Sequence, residues 1–142
     1  MNTHKLTLFL PRIIVAFILL QTLFFKFGIG GQEALQESQE IFGAIALATL
    51  GSADYEPLMR IGTGILELAA SILILLNATA YIGAFLSAAL MAGALLSHFL
   101  FIGIEVRGDN GQLFIMALIV FISSVKVIFD NWRRVTNLIA RK

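Results

Sequence analysis

The sequence predicts an all-α integral membrane protein, an antiparallel four-helix bundle with a short amphipathic helix between helices one and two. Three observations carry that expectation. Apolar stretches at about residues 6–27, 58–76, 78–103 and 113–129 fill most of the 142-residue chain. Each comes close to the roughly 20 residues needed to cross ~30 Å of hydrocarbon at about 1.5 Å per residue. The composition is 58% hydrophobic and only 13% charged, with a mean hydropathy of +0.90. A soluble domain this small would expose apolar surface it could not cover. One bundle accounts for the whole chain as a single domain, residues 1–142, since no linker or low-complexity run divides it.

In the first span Pro11 is expected within the opening turns, where a missing N–H is tolerated. Residues 13–25 resemble the apolar core of a signal peptide, but Lys26-Phe27-Gly28 follows instead of a small-residue cleavage site. The segment is therefore expected to remain as the first span, ended by Gly28-Ile29-Gly30-Gly31. Between residues 32 and 51 the polar and apolar residues fall in helical order, with Ile41, Phe42, Ile45 and Leu50 mostly on one side. That pattern predicts an amphipathic helix lying on the membrane surface. Asp54-Tyr55-Glu56-Pro57 reads as a turn into the second span. Asn77-Ala78-Thr79 is so short a joint that spans two and three must form a hairpin. The third span carries Gly83, Ala84, Ser87, Ala88, Gly93 and Ser97, small residues that let helices approach closely in lipid. Trp132 after the fourth span suits an interfacial anchor.

Charge sets the expected orientation. Lys5, Arg12, Lys126, Arg133, Arg134, Arg141 and Lys142 lie towards or beyond the outer ends of spans one and four, whereas residues 28–56 hold five acids and no Lys or Arg. The positive-inside rule then places both termini in the cytoplasm, with residues 28–56 and the joint at 105–111 outside a plasma (inner) membrane. The basic tail serves topology and lipid headgroups and calls for no nucleic acid. The chain has no cysteine, which excludes thiolate, disulfide and iron–sulfur chemistry by its own residues. His98 has no companion histidine in the membrane, because His4 is expected in the cytoplasm, so no metal or haem site is expected.

A charge inside a bilayer costs roughly 2.5–3.5 kcal/mol on insertion scales, so each one needs a reason. Glu67 lies ten positions past Pro57, ~15 Å by helical rise and too deep for a short side chain to reach water. Arg60, Gly64, Glu67 and Ser71 share one stripe of that helix, and Gly64 leaves a gap that a side chain or a ligand could fill. Topology gathers Lys26, Arg60, Glu67 and His98 into the same half of the bundle, where they must pair or line a cavity. Glu67 is expected within reach of Lys26 or Arg60.

With these residues in place, the chain resembles the DoxX/DoxD-like family of small four-helix membrane proteins. The likeness rests on a first span running from Arg12 to Lys26, on Gly64-Ile65-Leu66-Glu67 followed by Leu68-Ala69-Ala70, and on Met91-Ala92-Gly93-Ala94-Leu95-Leu96-Ser97-His98. It covers nearly the whole chain and departs at Leu23 and Asn77, where glycine often stands. The resemblance implies redox-linked membrane work: a subunit or accessory of an oxidoreductase system, facing a quinone, with a soluble or membrane partner carrying the redox centre. Lys26, Arg60 and His98 would then donate to quinone oxygens and Glu67 would relay protons. No covalently bound cofactor is expected. Two other classes fit the residues: a non-catalytic assembly or chaperone-like membrane protein, and a small-solute or proton-coupled transporter using Glu67. Beyond the lipid bilayer and a redox partner, further copies of the chain are the other partner considered.

Overall fold

Among the described residues, long apolar runs broken by glycine and short polar joints give five long helices. They are α1 (Thr3–Lys26), α2 (Gln32–Leu50), α3 (Glu56–Leu75), α4 (Ala80–Ser97) and α5 (Gln112–Asp130). A 3₁₀ turn, Ala53–Tyr55, precedes α3, and a π-helical turn, His98–Ile102, extends α4. The structure is a computed structural model that describes residues 3–132 and 136. The basic tail at Arg133, Arg134, Arg141 and Lys142, and the side chains of His4 and Lys5, lie outside what it describes.

Among the described residues there is no strand, and four helical segments are long and apolar enough to cross a membrane. They run Thr7–Lys26, Ala53–Leu75, Ala80–Ile102 and Gln112–Asp130, matching the four apolar stretches of the sequence. α1 packs against α3 and α5, and α4 packs against the same two, so the long helices form a ring in the order α1, α3, α4, α5. Val15, Leu19, Ile74, Ala84, Val120 and Val127 meet inside it. The outward faces carry Phe17, Leu100 and Phe129, which are 66%, 66% and 70% exposed. Such a surface is suited to lipid rather than water.

Pro11 departs from expectation. α1 begins at Thr3, so Pro11 lies within the helix and not in its opening turn. The polar residues before position 6 hid that start, because they break the apolar run without breaking the helix. α2 covers residues 32–50 as a helix and turns Ile41, Ile45 and Ala46 inward. Gly51 closes it with φ 80°, a left-handed conformation that glycine takes without a Cβ clash, and its N–H returns to the Leu47 carbonyl at 3.1 Å.

The small residues of α4 divide into two groups. A Cβ on Gly83 would come within 2.3 Å of the Ile74 backbone nitrogen, so α3 and α4 touch backbone to backbone near their joint at 76–79. Ala84, Ser87 and Ala88 are buried on the same stretch, and Ser87 satisfies its hydroxyl on the Gly83 carbonyl at 2.8 Å. Gly93 corrects the expectation of tight packing along the whole span: it is exposed, and a Cβ there would meet nothing within 4 Å. Close approach at one end of a helix pair does not require it at the other.

Candidate functional site

The site is built on one face of α3. Glu56, Arg60, Gly64, Glu67, Ser71 and Ile74 recur at intervals of three or four and are all buried. Glu67 is 3% exposed. Its Oε2 accepts from Lys26 Nζ at 2.5 Å and from Thr22 Oγ1 at 2.9 Å. Both donors come from α1, four residues apart and so on one side of that helix. Thr22 has a single hydroxyl proton to share between Glu67 and the Leu19 carbonyl, 2.7 Å away. Both bonds to the Glu67 carboxylate fall on Oε2; Oε1 accepts none among the described residues.

Lys26 is 6% exposed and is held from a second direction. The ring of Phe42, on α2, lies with its centroid 5.7 Å from Nζ, within cation–π range. The carboxylate and the ring together replace the water an ammonium group would lose on burial.

Arg60 does a different job from the one expected. Its guanidinium pairs with Glu56 one turn back and donates from Nη1 to the carbonyl of Lys26, the last residue of α1. A helix leaves its final carbonyls without intrahelical donors, and a cation there is favoured by the helix dipole. Arg60 thus caps α1 and fixes the backbone from which Lys26 projects. It does not line the cavity described below. The gap at Gly64 is filled by Phe27, whose ring carbon Cζ would lie 2.7 Å from a Cβ at that position.

His98 is 5% exposed and begins the π-helical turn. Its Nδ1 is 2.7 Å from the Gly103 carbonyl, which can only accept, so Nδ1 carries a proton. In the neutral ring Nε2 is then left as an acceptor. Phe114 of α5 stands edge-on to the imidazole with centroids 5.6 Å apart. The following loop is knotted by Asp109, which accepts from the N–H groups of Val106, Gly111 and Leu113 at 2.8, 2.9 and 3.0 Å. Burial pushes the Asp109 carboxyl up, but those three bonds and the nearby His98 outweigh it and hold the group below its ordinary range.

Lys26, Glu67 and His98 border one cavity of about 640 Å³, which opens to the surface past exposed Leu96 and Leu100. Its walls are otherwise mostly apolar, with Ile18 and Leu19 from α1, Met59 from α3, Leu90 from α4 and Met116 from α5. α2 contributes Ile41, Phe42 and Ile45. A largely apolar chamber with a few polar groups is the usual form of a small-molecule site, for which volumes run about 300–1,000 Å³. The structure therefore brings three of the four sequence candidates to one cavity and assigns the fourth, Arg60, to the support behind it.

Sequence reasoning missed several partners. Thr22 could have been found from its position four residues before Lys26 on the same helical side. The Glu56–Arg60 pair was open to the i, i+4 rule. Nothing local in the sequence announced Phe27, whose placement depends on how α1 meets α3. At the other end of the bundle Arg12, counted above among the charges that set orientation, is buried and donates from Nη1 to Asn77 Oδ1 at 2.8 Å. Lys126 and Asp130 form an i, i+4 surface pair at 2.7 Å. No family model, curated protein or solved structure matches this chain.

Proposed function

We propose that the chain is a multi-pass subunit or accessory of a membrane oxidoreductase system that binds a quinone in this cavity. The single observation that carries the reading is the Lys26–Glu67–Thr22 cluster set into the wall of an otherwise apolar chamber of about 640 Å³. A merely structural ion pair would need no room beside it. The helices are taken as an antiparallel bundle in the inner membrane with cytoplasmic termini, and α2 as an amphipathic helix lying over the cavity on the outer surface. Supporting the arrangement, Arg12 of α1 reaches Asn77 beyond the end of α3, while Lys26 meets Glu67 in its middle. Family likeness to DoxX/DoxD-like proteins remains part of the proposal and is carried by the same residues.

The residues fit a quinone head. A bound quinone supplies two-electron, two-proton chemistry. Lys26 Nζ has protons beyond the one given to Glu67 and would donate to one carbonyl oxygen. His98, its tautomer set by Gly103, offers Nε2 towards a hydroxyl of the reduced head or, once protonated, donates to the oxidised one. Glu67, whose Oε1 accepts no bond among the described residues, would take and return protons through Oε2-bound Lys26 and Thr22. Phe42 and the apolar walls exclude water from the head. With no cysteine in the chain, electrons would come from a partner protein that carries its own redox centre.

The test is purification in lipid nanodiscs followed by extraction and mass spectrometry of bound small molecules and proteins. Quinone retained by the wild type and lost in Glu67→Gln is the expected result. Phospholipid alone, equal in both proteins, would overturn the quinone reading and leave a non-catalytic assembly role as the better account.

A further inference from the structure

We infer that the cavity fills sideways from the lipid, through a port between α3 and α4 bordered by Gly93, and that its occupant keeps a hydrocarbon or prenyl tail in that port. The inference rests on the quinone reading and adds to it the route of the substrate and the part of it that confers affinity.

Four observations converge on the port. α3 and α4 touch at Gly83 and Ile74, yet ten residues further along α4 Gly93 meets nothing within 4 Å of an added Cβ. On α3, Met59 and Thr63 border the same cavity as Gly93, so the chamber lies between the two helices there. The cavity is lined both by fully buried Leu19 and by Leu96 and Leu100, which are 57% and 66% exposed. Those outer residues are apolar and lie on a segment long and apolar enough to cross a membrane, where the opening would face acyl chains and not water.

The polar and apolar ends then sort the ligand. Lys26, Glu67 and His98 hold a compact head that can bond hydrogen, and a flexible chain leaves past Gly93 into lipid. A water-soluble solute would need an opening on a polar face and would gain nothing from walls of leucine and methionine. A tailed ligand also reaches the site by diffusion within the bilayer and need never be desolvated from water, which spares it the cost of exposing the tail. Gly93 has no side chain to enter the passage, and the space beside it has room for a Cβ. Ser97, one turn on, has its hydroxyl turned back to the Gly93 carbonyl at 2.9 Å and presents no polar barrier.

Gly93→Trp fills the port without touching Lys26, Glu67 or His98, and Gly93→Ala serves as a mild control. Each protein is placed in nanodiscs, and equilibrium binding is measured with two tritiated benzoquinones, one bearing a long prenyl tail and one with no tail. The wild type should bind both, the tailed compound more tightly. Gly93→Trp should weaken the tailed quinone by about tenfold or more while leaving the tail-less one within about twofold. Gly93→Ala should bind as the wild type does. Equal retention of both ligands by Gly93→Trp, or equal loss of both, would overturn the port while leaving the quinone reading in place. A wild type that binds neither would overturn both. Gly93→Leu, a smaller plug with the same expected direction, carries the test should tryptophan prevent folding.

Discussion

The two ends of the α3–α4 pair use the same small residues to opposite effect. Near the joint, Gly83 allows α4 to lie against the backbone of Ile74. At the far end Gly93, with no partner within 4 Å of an added Cβ, borders a cavity. Lipid offers helices little hydrophobic reason to associate, so contact must come from packing and polar ties. The closed end has both, with Gly83 packed on the Ile74 backbone and Arg12 of α1 tied to Asn77 in the joint. The open end substitutes a charged cluster for packing: Glu67 to Lys26 and Thr22, Arg60 to Glu56 and the end of α1. Empty space beside a buried charge is tolerable only because that charge is already partnered.

Breaking the charge partnership should have the largest effect. Glu67→Leu leaves Lys26 buried without its carboxylate and should cost about 3–5 kcal/mol, read as a fall in the midpoint of detergent-induced unfolding. Lys26→Met with Glu67→Leu should regain most of that loss, since neither charge is left alone. Glu67→Gln, which keeps an acceptor for Thr22, should fall between.

Closing the space at either end sharpens the contrast. Gly83→Leu forces side-chain atoms into the Ile74 backbone and should cost about 1–3 kcal/mol, the usual range for overpacking. Gly93→Ala should stay within about 0.5 kcal/mol, as expected for a substitution that meets nothing. If the two glycines responded alike, the division of α4 into a packed and an open half would be wrong.

Two smaller effects concern the loop behind His98. The Asp109 carboxyl is held below its ordinary value of 3.8 in the folded chain, so its contribution to stability is present above that value and is lost as the pH falls through the lowered one. Hydrogen exchange at Val106, Gly111 and Leu113 should accelerate over that acid range, and Asp109→Asn should bring part of the acceleration to neutral pH. The Arg107–Glu40 pair joins the same loop to α2, but its side chains are 50% and 51% exposed. Arg107→Ala should therefore change stability by less than about 1 kcal/mol, and by less still at high salt.

These regions also differ in how far the sequence foretells them. The spans and α2 follow from apolar runs and helical order, because burial in lipid imposes a length and amphipathicity imposes a period. That Glu67 needs a basic partner follows from its depth alone. Which base answers does not: Lys26 and Arg60 were equal candidates until the meeting of α1 and α3 placed Glu56 and the Lys26 carbonyl around the guanidinium. Gly83 and Gly93 carry the same local signal, and only the spacing between helices, a property of the whole ring, separates packing from cavity. Pro11 shows the converse limit, since hydropathy marks where a helix becomes apolar and not where it begins.

In the proposed function the chamber beside Lys26 and Glu67 receives a quinone head. This is tested most directly by photolabelling the wild-type protein in nanodiscs with a quinone that carries its photoreactive group on the ring, then mapping the adducts by peptide mass spectrometry. Adducts are expected on residues around the chamber, on α1 near Thr22 and Lys26, on α3 near Thr63 and on the π-helical turn at His98, all suppressed by excess unlabelled quinone. Adducts confined to the outward face of α5, at Ile115, Ile119 and Ile122, and insensitive to competition would contradict it.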